Sequence, residues 1–190
     1  MSSTGINKHN VGRIAERIVA NELEYRGFRV SDLNKEGTSA NADLLAVKDG
    51  KTWQIQVKGS TEENGWWISY GYCDESIISN REKRMFNKSS SFYVARVVVL
   101  VSVKSPTAYS CVVLPVKSAE EAAQINLDRE YRTPTKHGNP KKPGPVWVSL
   151  DYIPRTDASR TESFEKEKKI LDEYRNKWEI EVFQDLSIEG

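Results

Sequence analysis

Two alternating segments meet at an Asp-Gly pair, and no other feature limits the fold of this chain as tightly. Residues 42–47 (Ala-Asp-Leu-Leu-Ala-Val) and 52–58 (Thr-Trp-Gln-Ile-Gln-Val-Lys) flank Asp49-Gly50. Such a pair specifies a two-residue hairpin, because glycine accepts the positive φ of a primed turn. With those two residues as the loop, Lys48 faces Lys51 and Asp43 lies opposite Gln56. Side chains alternate along a strand, so Asp43, Gln56 and Lys58 share one face while Ala42, Leu44, Ala46, Trp53, Ile55 and Val57 share the other. A slip of one residue would exchange the two sets.

Upstream, Val11, Ile14, Ala15, Ile18, Val19 and Leu23 recur at helical spacing, which predicts a helix over 10–26 with Asn10 as N-cap and Gly27 as C-terminal cap. Residues 28–30 read as a short strand and 31–41 as a polar connection. Further strands are expected at 66–72, 92–103, 109–116 and 146–150, with the second and third paired through Ser105-Pro106-Thr107. Helices are expected at 118–127 and 162–178. In the last, Phe164, Ile170, Leu171, Tyr174 and Trp178 face inward, and the alternation Glu165-Lys166-Glu167-Lys168 reads as a solvated face. Four of the seven prolines fall in 133–145, which marks a surface loop. The element order gives an α/β chain with a mixed β-sheet core flanked by α-helices, and residues 1–190 read as a single domain.

At 190 residues and 38% hydrophobic, the chain is long enough to bury one sizeable core. Lys plus Arg (28) nearly cancels Asp plus Glu (27), so bulk charge names no partner and nucleic-acid binding would need a local basic groove. The longest apolar run, 97–101, is too short to span a membrane, and the N-terminus lacks a secretory apolar core. Two distant cysteines, Cys73 and Cys111, fit a reducing cytoplasm and have no metal-ligand spacing. No Walker or Rossmann phosphate loop is present, so no nucleotide cofactor is expected.

The polar hairpin face carries chemistry suited to a phosphodiester. Asp43 can hold a hard divalent cation of the Mg²⁺ type, and the Gln56 side-chain oxygen and Val57 carbonyl can add to its oxygen shell. Such an ion would acidify a water and polarise a phosphoryl oxygen, while Lys58 would stabilise charge on the scissile phosphate or orient the attacking water. One carboxylate is thin for Mg²⁺. Glu16, at the border of the apolar face of the first helix, is the candidate for a second, with Glu22 as its rival.

Four segments, Gly12-Arg13-Ile14-Ala15-Glu16, Gly27-Phe28-Arg29-Val30, Ala42-Asp43-Leu44-Leu45 and Gln56-Val57-Lys58, resemble the PD-(D/E)XK nuclease superfamily. The closer resemblance is to its Glu…Asp…Gln-x-Lys branch of small endonuclease-like proteins, and it covers about residues 10–70. It implies a restriction-endonuclease-like fold in which Glu16 and Asp43 bind metal, Gln56 stands in the second acidic position and Lys58 is the catalytic lysine. The chain departs from the commonest pattern at Asn41-Ala42, where many members carry Pro, and at Gln56, where Asp or Glu is usual. With Gln56 lowering the negative charge, Glu16 becomes critical.

Arg81, Lys83, Arg84 and Lys88 form a basic run after the third strand, and Lys136, His137, Lys141 and Lys142 lie in the proline-rich loop. Each set can contact nucleic-acid phosphates or simply be solvated. Trp66-Trp67 can offer an aromatic surface to a base or fill the core. The expectation is a metal-dependent endonuclease using Mg²⁺ or Mn²⁺ on DNA; the dimeric habit of such relatives makes a homodimer a fitting assembly. Its rivals are a binding module on the same fold with a weakened metal site, and an interaction domain whose polar hairpin face is mere surface.

Overall fold

The computed structural model describes residues 8–34, 42–63, 65–72, 85–87, 94–105, 107–132, 145–150, 158–179 and 183. Helix α1 (Lys8–Tyr25) leads into β1 (Arg29–Asp32) and then the hairpin of β2 (Leu44–Lys48) and β3 (Lys51–Ser60). There follow β4 (Trp66–Tyr72), β5 (Met85–Asn87), β6 (Val97–Ser105), β7 (Ala108–Pro115), α2 (Val116–Arg132), β8 (Pro145–Val148) and α3 (Ala158–Glu173). The main sheet has the order β1-β2-β3-β6-β7 and is mixed: β3 and β6 run parallel, the other neighbours antiparallel. Helices pack on it, as the sequence predicts. Strands β5-β4-β8 form a separate three-stranded antiparallel sheet, which the sequence reading did not distinguish from the first.

The hairpin takes the expected register, from Lys48↔Lys51 to Leu44↔Ile55. Asp49 and Gly50 have φ of 51° and 75°, the left-handed pair that a type I′ turn needs. One sheet face carries Leu44, Ala46, Trp53, Ile55 and Val57 beside Val97, Val99 and Val101, and α1 covers it with Val11, Ala15, Ile18, Val19 and Leu23. The other face carries Val98, Leu100, Val112 and Leu114 against Trp66, Ile68, Val146, Val148 and the alanine-rich side of α2. Strand β6 is thus buried on both faces, which is why its sequence is a continuous apolar run instead of an alternation.

Helix α1 approaches β3 most closely at Gly59. A Cβ there would lie 2.9 Å from the Val11 carbonyl oxygen and 3.0 Å from the Ala15 Cβ, so any larger residue would push the helix off the strand. Glu16 follows Ala15 directly, so this contact also sets where that carboxylate sits.

Several boundaries differ from expectation. Strand β6 begins at Val97, after the chain bends at Arg96, and α2 runs to Arg132, with Arg129 buried beyond the predicted end. Helix α3 ends at Glu173, so Trp178 is not part of it. Residues 174–176 bond along the edge of β7, with Val113 N donating to Tyr174 O and Asn176 N to Cys111 O, and carry the chain around to the α1 face. There Trp178 and Phe183 join the first core, where Phe183 packs against Phe28 and Trp53. Glu167 is not solvated: it is fully buried, 2.6 Å from Arg129 Nη1, and its other oxygen accepts from Ser149 N at 2.9 Å. Trp66 belongs to the core, its indole N–H bonded to Val101 O, which removes it as a base-stacking surface. The Trp67 side chain lies outside the described residues. Among those residues, no helix is long and apolar enough to cross a membrane.

Candidate functional site

At the open end of the hairpin, the ladder stops at Leu44↔Ile55 and Asp43 turns its side chain onto β3. Its backbone remains tied, Asp43 N donating to Ile55 O at 2.9 Å and Leu33 N donating to Asp43 O at 3.0 Å. The carboxylate is fixed from the strand side. Oδ2 accepts from Val57 N at 2.7 Å and from the Gln56 side-chain amide. Gln56 is buried and turns its nitrogen, not its oxygen, toward Asp43. A cation here would have to meet the amide in its other orientation, a half-turn about one bond.

Oδ1, the other oxygen of Asp43, faces α1. Between it and Glu16 stands Asn34, whose Nδ2 lies 3.3 Å from Asp43 Oδ1 and 3.4 Å from Glu16 Oε1. Asn34 is itself held by its backbone, N donating to Asp32 Oδ1 at 3.1 Å. Burial pushes the Glu16 carboxyl above its ordinary range, and the negative charges of Asp43 and then Asp32 push it in the same direction. Burial pulls the Lys58 ammonium below its ordinary range, while Asp43 and Glu16 act against that shift. Glu16, Asp43 and Lys58 are therefore electrostatic neighbours, and Gln56 and Val57 are bonded to the Asp43 carboxylate.

Glu22 is placed elsewhere. It pairs with Arg26 and accepts a 2.6 Å hydrogen bond from the Tyr109 hydroxyl, which decides between the two helix acids on grounds of position. Asp32 and Asn34 were missed, since they fall in a polar stretch with no periodicity. Arg13 and Arg17 were missed as well. Both are exposed on α1 and, with Glu16, Glu24, Ser31 and Asp32, line a groove of about 410 Å³ beside the site. Their i, i+4 spacing on either side of Glu16 was the available signal. Arg81, Lys83, Arg84, Lys88, Lys136, His137, Lys141 and Lys142 lie outside the described residues.

Among the described residues, no three His, Cys, Asp or Glu side chains form a ready metal-ligand group. Among the described residues, the groups that meet Asp43 are the Asn34 and Gln56 amides, the Val57 N–H and the charges of Glu16 and Lys58. Carboxylate and amide oxygens suit Mg²⁺ or Mn²⁺ and not a thiophilic ion. The Glu16 and Asp43 carboxylates, which both meet the Asn34 amide, are the two acids that could hold such a cation.

Helix α1, packed on a mixed sheet, thus brings Glu16 to the Asp43, Gln56 and Lys58 of the hairpin. The chain is 23% identical over 90 residues, 47% of its length and 69% of the relative's, to the UPF0102 protein TTE1452 of Caldanaerobacter subterraneus subsp. tengcongensis. The solved structure of a bacterial homing endonuclease, I-Ssp6803I, aligns over 94% of this chain and 93% of its own at 14% identity, with a TM-score of 0.44. No family profile matches.

Proposed function

We propose that this protein is a Mg²⁺- or Mn²⁺-dependent endonuclease that hydrolyses DNA phosphodiester bonds. The observation that carries the reading is the meeting of Asp43, Gln56 and Lys58 from one hairpin with Glu16 from the helix packed beside it. Glu16 and Asp43 would hold the cation, with the Gln56 side-chain oxygen and the Val57 carbonyl as further oxygen donors. When bound, the ion supplies Lewis-acid polarisation of a phosphoryl oxygen and makes a water easier to deprotonate. The chain's own groups do the rest. Lys58, whose ammonium burial disfavours while Asp43 and Glu16 favour it, would neutralise charge that develops on the phosphate. Val57 N–H fixes the Asp43 carboxylate so that one oxygen stays directed outward. Arg81, Lys83, Arg84, Lys88, Lys141 and Lys142 are proposed phosphate contacts, and a homodimer would place one such site on each strand of a duplex.

A binding module is the second reading. It is favoured by the Gln56 amide, which donates to Asp43 where an acid would strengthen a metal site. One experiment separates the two. Linear duplex, supercoiled plasmid, single-stranded and branched DNA are incubated with Mg²⁺, Mn²⁺ or EDTA and wild type, Glu16→Ala, Asp43→Ala or Lys58→Ala protein. Metal-dependent cutting by wild type that falls at least a hundredfold in all three folded variants supports the endonuclease. Uncut DNA that is nonetheless retarded by wild type supports the binding module.

A further inference from the structure

Two carboxylates leave a hard divalent cation short of protein ligands, and Asn34 is placed to add one. We infer that the Asn34 side chain is itself a ligand of the cation at Glu16 and Asp43, through its amide oxygen. The inference rests on the metal-site reading above and extends it to a residue outside the sequence motif.

Three observations carry it. First, the Asn34 amide touches both acids, at 3.4 Å from Glu16 Oε1 and 3.3 Å from Asp43 Oδ1. Oxygens sharing one octahedral Mg²⁺ at its usual bond length lie about 3 Å apart. The amide's outer atom therefore already sits at nearly the spacing of a neighbouring ligand to each carboxylate. Secondly, both contacts are long for an amide donating to a carboxylate, where about 2.8–3.0 Å is typical, so little is lost when they are exchanged for a metal bond. Thirdly, the backbone of Asn34 is secured independently, by Asp32 Oδ1 accepting from its N–H at 3.1 Å. The side chain can turn through half a revolution about Cβ–Cγ, replacing Nδ2 by Oδ1, with no change in the chain. The same half-turn is what Gln56 would make, so the two amides bracket Asp43 and both convert from donors to acceptors.

The rival role for Asn34 is to hold the carboxylates together purely by donating hydrogen bonds. The two roles part at Asn34→Ala, where loss of a ligand weakens Mn²⁺ binding and loss of a pure donor leaves both acids open to the cation. An aspartate offers a stronger oxygen ligand but has no proton to donate, whereas Asn34→Ala offers neither. Mn²⁺ binding to the full chain is measured by titration calorimetry for wild type, Asn34→Asp and Asn34→Ala, with the Mn²⁺-induced rise in melting temperature as an independent readout. A ligand role predicts roughly tenfold tighter binding and a larger thermal shift in Asn34→Asp, against roughly tenfold weaker binding in Asn34→Ala. The metal-free Asn34→Asp protein should melt below wild type, and Mn²⁺ should recover the difference. If Asn34→Ala binds Mn²⁺ at least as tightly as wild type, Asn34 acts only as a donor and the inference fails while the metal site stands. If wild type binds no Mn²⁺, both the inference and the metal-site reading fail.

Discussion

The chain keeps charge away from water in two places, and the two are built on opposite principles. On the far side of the main sheet, Glu167 of α3 and Arg129 of α2 are both buried and paired at 2.6 Å, with Ser149 N completing the carboxylate. At the open end of the hairpin, Glu16 and Asp43 share only an amide at 3.3–3.4 Å, and Lys58 lies half-buried nearby. The first cluster has opposite charges in contact. The second has like charges near each other, and their mutual repulsion adds to the burial that raises the Glu16 carboxyl. The opposite charges tie α2 to α3 and, through Ser149 N, to the residue that follows β8. The like charges store unfavourable electrostatics that a cation would relieve.

Breaking the complete pair should have the largest effect. Glu167→Leu leaves the Arg129 guanidinium buried without its carboxylate, and should lower stability by about 3–5 kcal/mol in urea unfolding. The double change Arg129→Met/Glu167→Leu should recover most of it. The same acid gives a pH signature. Burial pushes Glu167 up to about 7, above its unfolded value, so the folded state holds an extra proton between those values. Stability should therefore decline as pH rises from about 4.5 to about 7, and Glu167→Gln should flatten that part of the profile.

Gly59 bears on the second cluster, because it seats α1 on β3. Gly59→Ala places a Cβ against the Val11 carbonyl and Ala15, and should cost about 1–3 kcal/mol. It should also displace Glu16 and weaken metal binding more than its stability loss alone explains, which parallel thermal melts and Mn²⁺ titrations would reveal. The smallest effect is of opposite sign. The folded-state value of Glu16 is raised, so its ionised form opposes folding at neutral pH. Metal-free Glu16→Gln should be slightly more stable than wild type at pH 7, with the gain vanishing below the carboxylate range, and it should lose metal-dependent activity. A Glu16→Gln protein less stable than wild type would break the contrast between the clusters.

What the sequence disclosed follows the range of the interactions involved. The hairpin register was legible because Asp49-Gly50 pins it locally, and with it the grouping of Asp43, Gln56 and Lys58. Helix α1 was legible from its period. Glu16 was preferred to Glu22 from its place on the helix and from the family resemblance, but the partner that holds Glu22, Tyr109, lies 87 residues away and left no local signal. Glu167 was misread for the same reason: its partner, Arg129, lies on another helix. A signal was present, however, since Glu167 falls three residues after Phe164 and four before Leu171, on the stripe that both bury. The second sheet was hidden because β4 finds β8 across a long interval of chain. Asn34 carries no pattern at all; only the fold brings it to the acids.

The most direct test of a cation site at Glu16 and Asp43 is thermal unfolding with and without Mn²⁺ for wild type, Asp43→Asn and Glu167→Gln. Binding to the folded state alone raises the melting temperature. Mn²⁺ should raise it in wild type and in Glu167→Gln but leave Asp43→Asn unmoved. No shift in wild type, or an equal shift in Asp43→Asn, would contradict it.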